Sequence, residues 1–121
     1  MPSCDFIEGK FISPIGGRAS WKSTAIAGIV HFAATASVYW SACHNGFLFW
    51  DDQVYVFDQP KVLNGINWDG FEWAMTAEVA NNWHPLTMIS LQLDAHLFGP
   101  GPMGFHRTAV LLHATNAVLA F

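Results

Sequence analysis

An uncharged apolar run constrains the fold of this chain more than any other feature. Residues 24–42 contain no Asp, Glu, Lys or Arg, and a helix of roughly twenty apolar residues is long enough to cross the hydrocarbon core of a bilayer. Because 52% of the 121 residues are hydrophobic and only 12% are charged, the chain is also more apolar than ordinary soluble domains. The sequence therefore predicts an all-α membrane protein with a transmembrane helix at residues 23–42.

The predicted transmembrane helix is expected to have helical neighbours. Its strongly apolar side chains are few, and His31 near its centre opposes insertion into lipid. Alanine and glycine occupy much of the remainder, and such small residues let two transmembrane helices approach each other closely. We therefore expect this helix to be one member of a bundle.

The distribution of basic residues predicts the orientation of the helix. Three Lys or Arg residues precede it, whereas residues 43–104 contain seven acidic side chains and only Lys61. By the positive-inside rule, residues 1–22 form a cytoplasmic tail and residues 43–104 form an extracytoplasmic loop. The membrane would be the inner membrane of a bacterium or the endoplasmic reticulum of a eukaryote. The scarcity of basic residues also excludes nucleic acid as an expected partner.

A cleaved leader is the alternative to a membrane anchor. Residues 41–43, Ser-Ala-Cys, resemble a lipoprotein processing site, but Trp40 stands where an aliphatic residue is expected. If the helix is an anchor, Cys4 and Cys43 lie on opposite sides of the bilayer. No disulfide is then expected between them.

A second apolar run begins at Thr108 and continues to the last residue. Residues 105–121 are too short for a complete span and end without a basic or aromatic flank, so they predict only the start of a second transmembrane helix. We expect the chain to be the first piece of a larger polytopic protein, with one span, one outer loop and the beginning of another span.

The outer loop is predicted to be compact and to carry two amphipathic helices. Its aromatic residues are dense and it has no low-complexity tract. Asn67 can cap a helix near residues 68–79, just after an Asn-Gly turn. Pro85 suits the first turn of a helix near residues 85–98, which a Gly-Pro-Gly-Pro sequence ends.

Two adjacent carboxylates, Asp51 and Asp52, stand shortly after the predicted transmembrane helix. A carboxylate at the outer membrane surface can act as a general base or bind a divalent cation. Neighbouring side chains on an extended segment point in opposite directions, so we expect one carboxylate to face a cavity while the other orients a neighbour or binds the cation. The alternative is a pair of solvated aspartates in a turn.

Several ordered blocks of the sequence carry a resemblance to a known family. They are Phe-x-x-x-Asp51-Asp52-Gln-x-Tyr, Asn64-Gly65-x-x-Trp68-x-Gly70, Asn82-Trp83-His84-Pro85-Leu86-Thr87, Leu93-Asp94-x-x-Leu97-Phe98-Gly99 and His106-x-x-x-Val110-Leu111-Leu112-His113. Together, over residues 46–121, they resemble the tetratricopeptide-repeat-bearing transmembrane O-mannosyltransferases and their bacterial relatives. Two departures are Phe105, where relatives often have a second His beside His106, and Met103, which replaces a common Gly.

The resemblance implies that the chain is the N-terminal piece of a GT-C glycosyltransferase. Such an enzyme would transfer mannose or a related hexose from a polyprenyl phosphate to a protein hydroxyl. Tetratricopeptide repeats often follow the membrane part of such enzymes. The donor site is built from several transmembrane helices, most of which this chain lacks, so the isolated chain is expected to be inactive. The alternatives are a non-catalytic membrane scaffold for such repeats and a small exported protein.

The resemblance also suggests roles for individual residues. Asp52 is favoured over Asp51 as the base that takes the acceptor proton when an oxocarbenium-like transition state forms. His84 is a candidate donor to the leaving phosphate, or else fixes the start of a helix. Trp50 belongs to an aromatic cluster that either lines the path of the polyprenyl chain or anchors the loop among lipid headgroups.

Asp94 is the remaining candidate for substrate binding. It lies in a polar stripe with Thr87 and Ser90, where a carboxylate is either hydrogen-bonded inside the assembly or faces a cavity. A metal site formed by Asp94 with His96 and His106 is conceivable, but the spacing is not typical of metal ligands and no metal site is predicted.

Overall fold

The computed structural model describes residues 20–120, and every regular element in that range is a helix. The α-helices are α1 (Trp21–Tyr39), α2 (Pro60–Leu63), α3 (Trp68–Thr76), α4 (Pro85–Phe98) and α5 (Pro102–Leu119). A 3-10 helix (Trp40–His44) extends α1, and a π-helix (Gln53–Phe57) precedes α2. The all-α class is therefore confirmed for this part of the chain. Cys4 and nearly all of the predicted cytoplasmic tail lie outside the described residues.

The long first helix forms where the sequence has its uncharged, alanine-rich run, since alanine is the best helix former. With the 3-10 helix it makes a continuous stretch, Trp21–His44, that within residues 20–120 is the one long and apolar enough to cross a membrane. None of the residues of α1 is buried, and Ile29 and Val38 are about 70% exposed (68% and 72%). Most of the apolar surface of α1 is therefore uncovered within the described chain.

α5 packs along one side of α1 in the antiparallel direction. Near the start of α1, a Cβ added to Gly28 would lie 3.4 Å from Val118 Cγ1 near the end of α5. At the other end of α1, the rings of Tyr39 and His113 meet edge to face, with centroids 4.7 Å apart. The small residues of α1 thus permit the close approach of a second helix that the sequence predicts.

The segment between α1 and α5 has a hydrophobic core of its own. Its buried side chains come from the π-helix, from α2 to α5 and from the segment after α3, and they are Val56, Val62, Ala74, Val79, Met88, Ala95 and Phe105. Fully burying a Val or Met side chain contributes about 1.5–3 kcal/mol. These contacts make the predicted outer loop a compact unit.

Local signals set the bounds of α3 and α4. The Asn67 side chain accepts a hydrogen bond from the Gly70 N–H (2.9 Å) and caps α3. Pro85 occupies the first turn of α4, and Gly99, with φ +80°, follows its last residue. The bounds of α4 coincide with those expected from the sequence.

α3 ends three residues earlier than the sequence predicts. The chain turns at Ala80 and Asn81, which both have positive φ, and Val79 enters the core instead of continuing the exposed face of the helix. The Trp83 indole N–H donates to the Met75 carbonyl (2.9 Å) and so satisfies an acceptor in the last turn. Tertiary contacts therefore replace the last predicted turn of α3.

The turn after α2 generates a prediction about Gly65. This residue has φ +71°, and a Cβ there would lie 3.2 Å from His96 Cα on α4. We expect Gly65→Ala to lower the free energy of unfolding by about 1–2 kcal/mol, because an L residue is strained in the left-handed region. Denaturant unfolding in mild detergent, followed by tryptophan fluorescence, measures the change.

Gly46→Ala is the matched control for this substitution, because a Cβ on Gly46 would meet no atom within 4 Å. If the two variants lose the same stability, the left-handed turn at Gly65 and its close contact with α4 do not exist in solution.

Candidate functional site

Asp51 and Asp52 lie on a helical turn, so the expectation that an extended segment directs them apart is wrong. Asp52 has φ −62° and ψ −32° and leads directly into the π-helix. Neighbouring side chains on a helix diverge by about 100° rather than 180°. Both carboxylates therefore border one groove of about 280 Å³, together with Leu48 and Trp50.

Asp52 is the better positioned of the two carboxylates. Its Oδ2 accepts a hydrogen bond from the Leu48 backbone N–H at 2.8 Å. Asp51 is exposed, and its carboxylate makes no hydrogen bond within residues 20–120. The bond to Leu48 fixes the Asp52 carboxylate while leaving its Oδ1 free of protein partners in the described chain.

The aromatic cluster around the Asp pair divides into an inner and an outer group. Phe47 packs inward, with its ring centroid 5.5 Å from that of Phe105 in the core. Phe49 and Trp50 point outward and are 87% and 80% exposed, and Leu48 is exposed beside them. The outer group forms an apolar surface next to the two carboxylates. Both roles predicted for Trp50 require such a surface.

His84 contacts Tyr55 and Val79. Its ring meets the Tyr55 ring edge to face at a centroid distance of 5.3 Å, and its Nε2 is 3.4 Å from the Val79 carbonyl oxygen. Because His84 immediately precedes α4, these contacts hold the start of that helix against the π-helix. The geometry favours this structural role, and donation to a phosphate stays a prediction.

Asp94 is buried between α4 and α5, with only 4% of its surface exposed. Its Oδ1 accepts a hydrogen bond from the Thr108 hydroxyl at 2.5 Å. Burial raises the pKa of the Asp94 carboxyl above the usual 3.8, and the hydrogen bond from Thr108 partly offsets this rise. Asp94 also borders a groove of about 320 Å³, so it is both hydrogen-bonded inside the structure and open to a cavity.

The predicted site residues do not converge on a single centre. Trp50, Asp51 and Asp52 share one groove, and Asp94 borders a different one. His84 packs on the π-helix and lines neither groove. The reason is that Asp94 lies on α4 and pairs with Thr108 on α5, whereas the Asp pair directly precedes the π-helix.

Asp94, His96 and His106 do not form a metal site. His96 is exposed beside the Gly65 turn, whereas His106 lies between α1 and α5. Among residues 20–120, no group of three or more His, Cys, Asp or Glu side chains is arranged to hold a metal ion.

The sequence reasoning missed two features of the structure. The first is Thr108, the partner of Asp94, although a short connection makes α4 and α5 neighbours and could have indicated it. The second is a cavity of about 250 Å³ bordered by Tyr39, His106 and His113. His106 Nε2 is buried there and has no hydrogen-bond partner in the described chain. This cavity results from the packing of α1 on α5, which no local pattern reports.

The raised pKa of Asp94 predicts a pH-dependent contribution to stability. Between pH 3.8 and the higher pKa of the folded state, the folded protein keeps a proton that the unfolded chain has lost, so stability falls as pH rises through that window. Asp94→Asn cannot ionise. We therefore expect the wild type to lose stability relative to Asp94→Asn as the pH is raised from acidic to neutral, measured by chemical unfolding at a series of pH values.

Thr108→Val removes the hydrogen bond that lowers the pKa of Asp94. In this variant the pH range over which the folded protein loses stability should extend to higher pH. A stability difference between wild type and Asp94→Asn that is constant or grows with pH contradicts the buried, desolvated carboxyl.

Comparison with known proteins does not assign this chain to a family. No family model matches it, no characterised protein matches it and no solved structure matches it. Function is therefore inferred from the residues and contacts of the chain itself.

Proposed function

We propose that the chain supplies the acidic outer loop of an integral membrane glycosyltransferase, which transfers mannose or a related hexose from a polyprenyl phosphate to a protein hydroxyl. The observation that carries the proposal is the Asp52 carboxylate, which the Leu48 N–H fixes at 2.8 Å beside an exposed apolar surface, shortly after a long apolar helix. The resemblance of its sequence blocks to the tetratricopeptide-repeat-bearing O-mannosyltransferases supports the same reaction.

Membrane insertion of α1 would place this carboxylate where a lipid-linked donor meets water. The exposed apolar side chains of α1, such as Ile29 and Val38, are unfavourable in water by roughly 25 cal/mol per Å² and are compatible with lipid. Tyr39 and Trp40, both about half exposed at the end of α1, suit the interface between lipid and water. With a cytoplasmic N-terminus, the Asp52 groove opens on the extracytoplasmic side of the bacterial inner membrane or of the endoplasmic reticulum.

The proposed reaction needs a base near the acceptor. The acceptor oxygen forms a bond to C1 of the sugar while the bond from C1 to the phosphate oxygen breaks, and the acceptor loses its proton. Oδ1 of Asp52 would take this proton, while the hydrogen bond to Oδ2 keeps the carboxylate oriented. The polyprenyl phosphate leaves with the electron pair of the broken bond.

The neighbours of Asp52 would hold the donor. Leu48, Phe49 and Trp50 offer apolar surface for the first isoprene units. Asp51 borders the same groove, and a divalent cation fits there, because Mg²⁺ is usually bound by one or two carboxylates together with substrate phosphate oxygens. Such a cation would neutralise charge on the leaving phosphate. The remaining transmembrane helices of the full-length protein would close the site.

A non-catalytic membrane scaffold is the second candidate function, and the bond between Leu48 and Asp52 is the observation that favours it. Many aspartates that accept a hydrogen bond from a nearby backbone N–H close a turn and have no chemical role. The loop would then fold without chemistry, and the chain would anchor tetratricopeptide repeats that bind other proteins.

Asp52→Asn separates the two candidate functions. Asparagine keeps an oxygen that can accept from the Leu48 N–H but cannot take a proton, so the turn should persist. We expect the rate of transfer of labelled mannose from polyprenyl phosphate to protein to fall about 100-fold or more, measured in membranes that contain the full-length gene product at wild-type levels.

Asp58→Asn is the matched control, with the same loss of charge at an exposed carboxylate of the same loop that does not border the groove. It should retain far more activity than Asp52→Asn. If the Asp52→Asn protein transfers as fast as the wild type, or if the wild type shows no transfer while its protein partners still bind, the scaffold is the correct account.

The anchor also makes a prediction about processing. If α1 spans the membrane, the mature protein retains it, and the protein stays in the membrane pellet after alkaline carbonate extraction. Intact mass and N-terminal sequencing of the purified protein test this. A mature chain that begins at Cys43 would identify a cleaved leader and refute the anchor.

A further inference from the structure

The groove between α4 and α5, named here the Asp94 groove, has the size and lining of a small-molecule binding site. Its volume of about 320 Å³ is at the lower end of the range of about 300–1,000 Å³ that is typical of ligand pockets. Phe105 is buried at its base, whereas Leu86 and Leu112 are exposed at its edges. The walls are therefore largely apolar.

One polar edge of the Asp94 groove is built around a buried carboxyl. The Thr108 hydroxyl donates a hydrogen bond to Oδ1 of Asp94. Oδ2 has no hydrogen-bond partner within residues 20–120, and it remains accessible from the groove. A carboxyl oxygen that is largely removed from water without a partner is unfavourable. A ligand that donates a hydrogen bond to Oδ2 would remove this cost.

Two hydroxyls continue the polar edge along α4. Thr87 and Ser90 precede Asp94 at helical spacing on the same face, and all three border the groove. Elsewhere, hydroxyls such as those of Ser37 and Thr115 donate to a carbonyl one turn earlier in their own helix. The side-chain hydroxyls of Thr87 and Ser90 make no hydrogen bond in the described chain, so they can donate to a ligand and accept from it.

We propose that the Asp94 groove binds a hexopyranose ring. Oδ2 of Asp94 accepts from one ring hydroxyl, Ser90 and Thr87 exchange hydrogen bonds with its neighbours, and the C–H face of the ring lies against the leucine and phenylalanine walls. A pyranose presents hydroxyls along its rim and C–H groups across its face, which matches a groove with one polar edge and apolar walls.

Other ligands of the same size fit this groove less well. An apolar ring would leave Oδ2 of Asp94 and two hydroxyls without partners. An ammonium compound could pair with Asp94, but it would bury a charge between leucine walls and could not donate to and accept from Thr87 and Ser90 as a hydroxyl rim does. The mixed set of donors and acceptors therefore favours a neutral, polyhydroxylated ring.

The inference goes beyond the proposed function and rests on it only for the identity of the sugar. The Asp94 groove is separate from the Asp52 groove, where the base and the donor are proposed, so the ring that it binds is not the ring that is transferred. Because the two regions share no residue, binding at one and transfer at the other can be measured independently.

Saturation-transfer NMR on the full chain in lipid nanodiscs tests the inference. The probe is methyl α-mannopyranoside, and the comparison compounds are methoxycyclohexane, an apolar ring of similar size, and cyclohexylammonium. We expect the mannoside to bind most tightly. Asp94→Asn should weaken its binding about tenfold or more, because a hydrogen bond to a charged group is among the stronger ones.

Two further variants distinguish a loss of binding from a loss of folding. Leu112→Trp fills the groove from an exposed position and should abolish mannoside binding without removing a hydrogen bond. Asp69→Asn makes the same chemical change as Asp94→Asn at an exposed carboxylate paired with Lys61, and it should bind the mannoside like the wild type. Circular dichroism confirms the helical content of each variant.

Four results would overturn the inference. Three of them are unchanged mannoside binding in both Asp94→Asn and Leu112→Trp, equal binding of methoxycyclohexane, and tighter binding of cyclohexylammonium than of the mannoside. Asp52→Asn should leave mannoside binding unchanged. Loss of transfer with intact binding in that variant supports both proposals. Absence of binding with transfer that depends on Asp52 refutes the Asp94 groove alone.

Discussion

The antiparallel contact between α1 and α5 determines where the rest of the structure lies. α1 buries none of its own residues, and its helix partner in the described chain is α5, which approaches it closely at Gly28 and Val118. This contact brings the two ends of the intervening loop together, and the loop folds around a hydrophobic core of its own. Its hydrophobic core, which includes Phe105 at the start of α5, offsets the entropy lost when the loop closes.

Closure of the loop also explains why the polar candidates lie at separate places. Phe47 turns into the core against Phe105, which leaves the next residues, up to Asp52, to form an exposed turn. Asp94, by contrast, is buried on α4 and paired with Thr108 of α5. The loop therefore presents an oriented, accessible carboxylate and a buried one, and these different environments are the basis of the different roles proposed for them, proton transfer and ligand binding.

Local signals in the sequence were sufficient for the start of α3 and for both ends of α4, but not for the site. The cap at Asn67, the first turn at Pro85 and the break at Gly99 act within one turn of chain, so they identify α3 and α4 directly. The end of α3 depends on Val79 entering the core, and the helical turn at Asp51 and Asp52 depends on a bond to Leu48. These are tertiary or turn contacts, and composition and periodicity do not report them. The sequence therefore identified the candidate residues, whereas their separation into two grooves required the structure.

The central claim is that the bilayer holds α1 across its width and so delivers the Asp52 turn to the extracytoplasmic side. Labelling a single cysteine at the exposed Trp50 position, Trp50→Cys with the two native cysteines replaced by serine, tests this most directly. In sealed membranes of known orientation, a membrane-impermeant maleimide applied to the extracytoplasmic face should label this cysteine without permeabilisation. Labelling that occurs only from the cytoplasmic face would contradict the account.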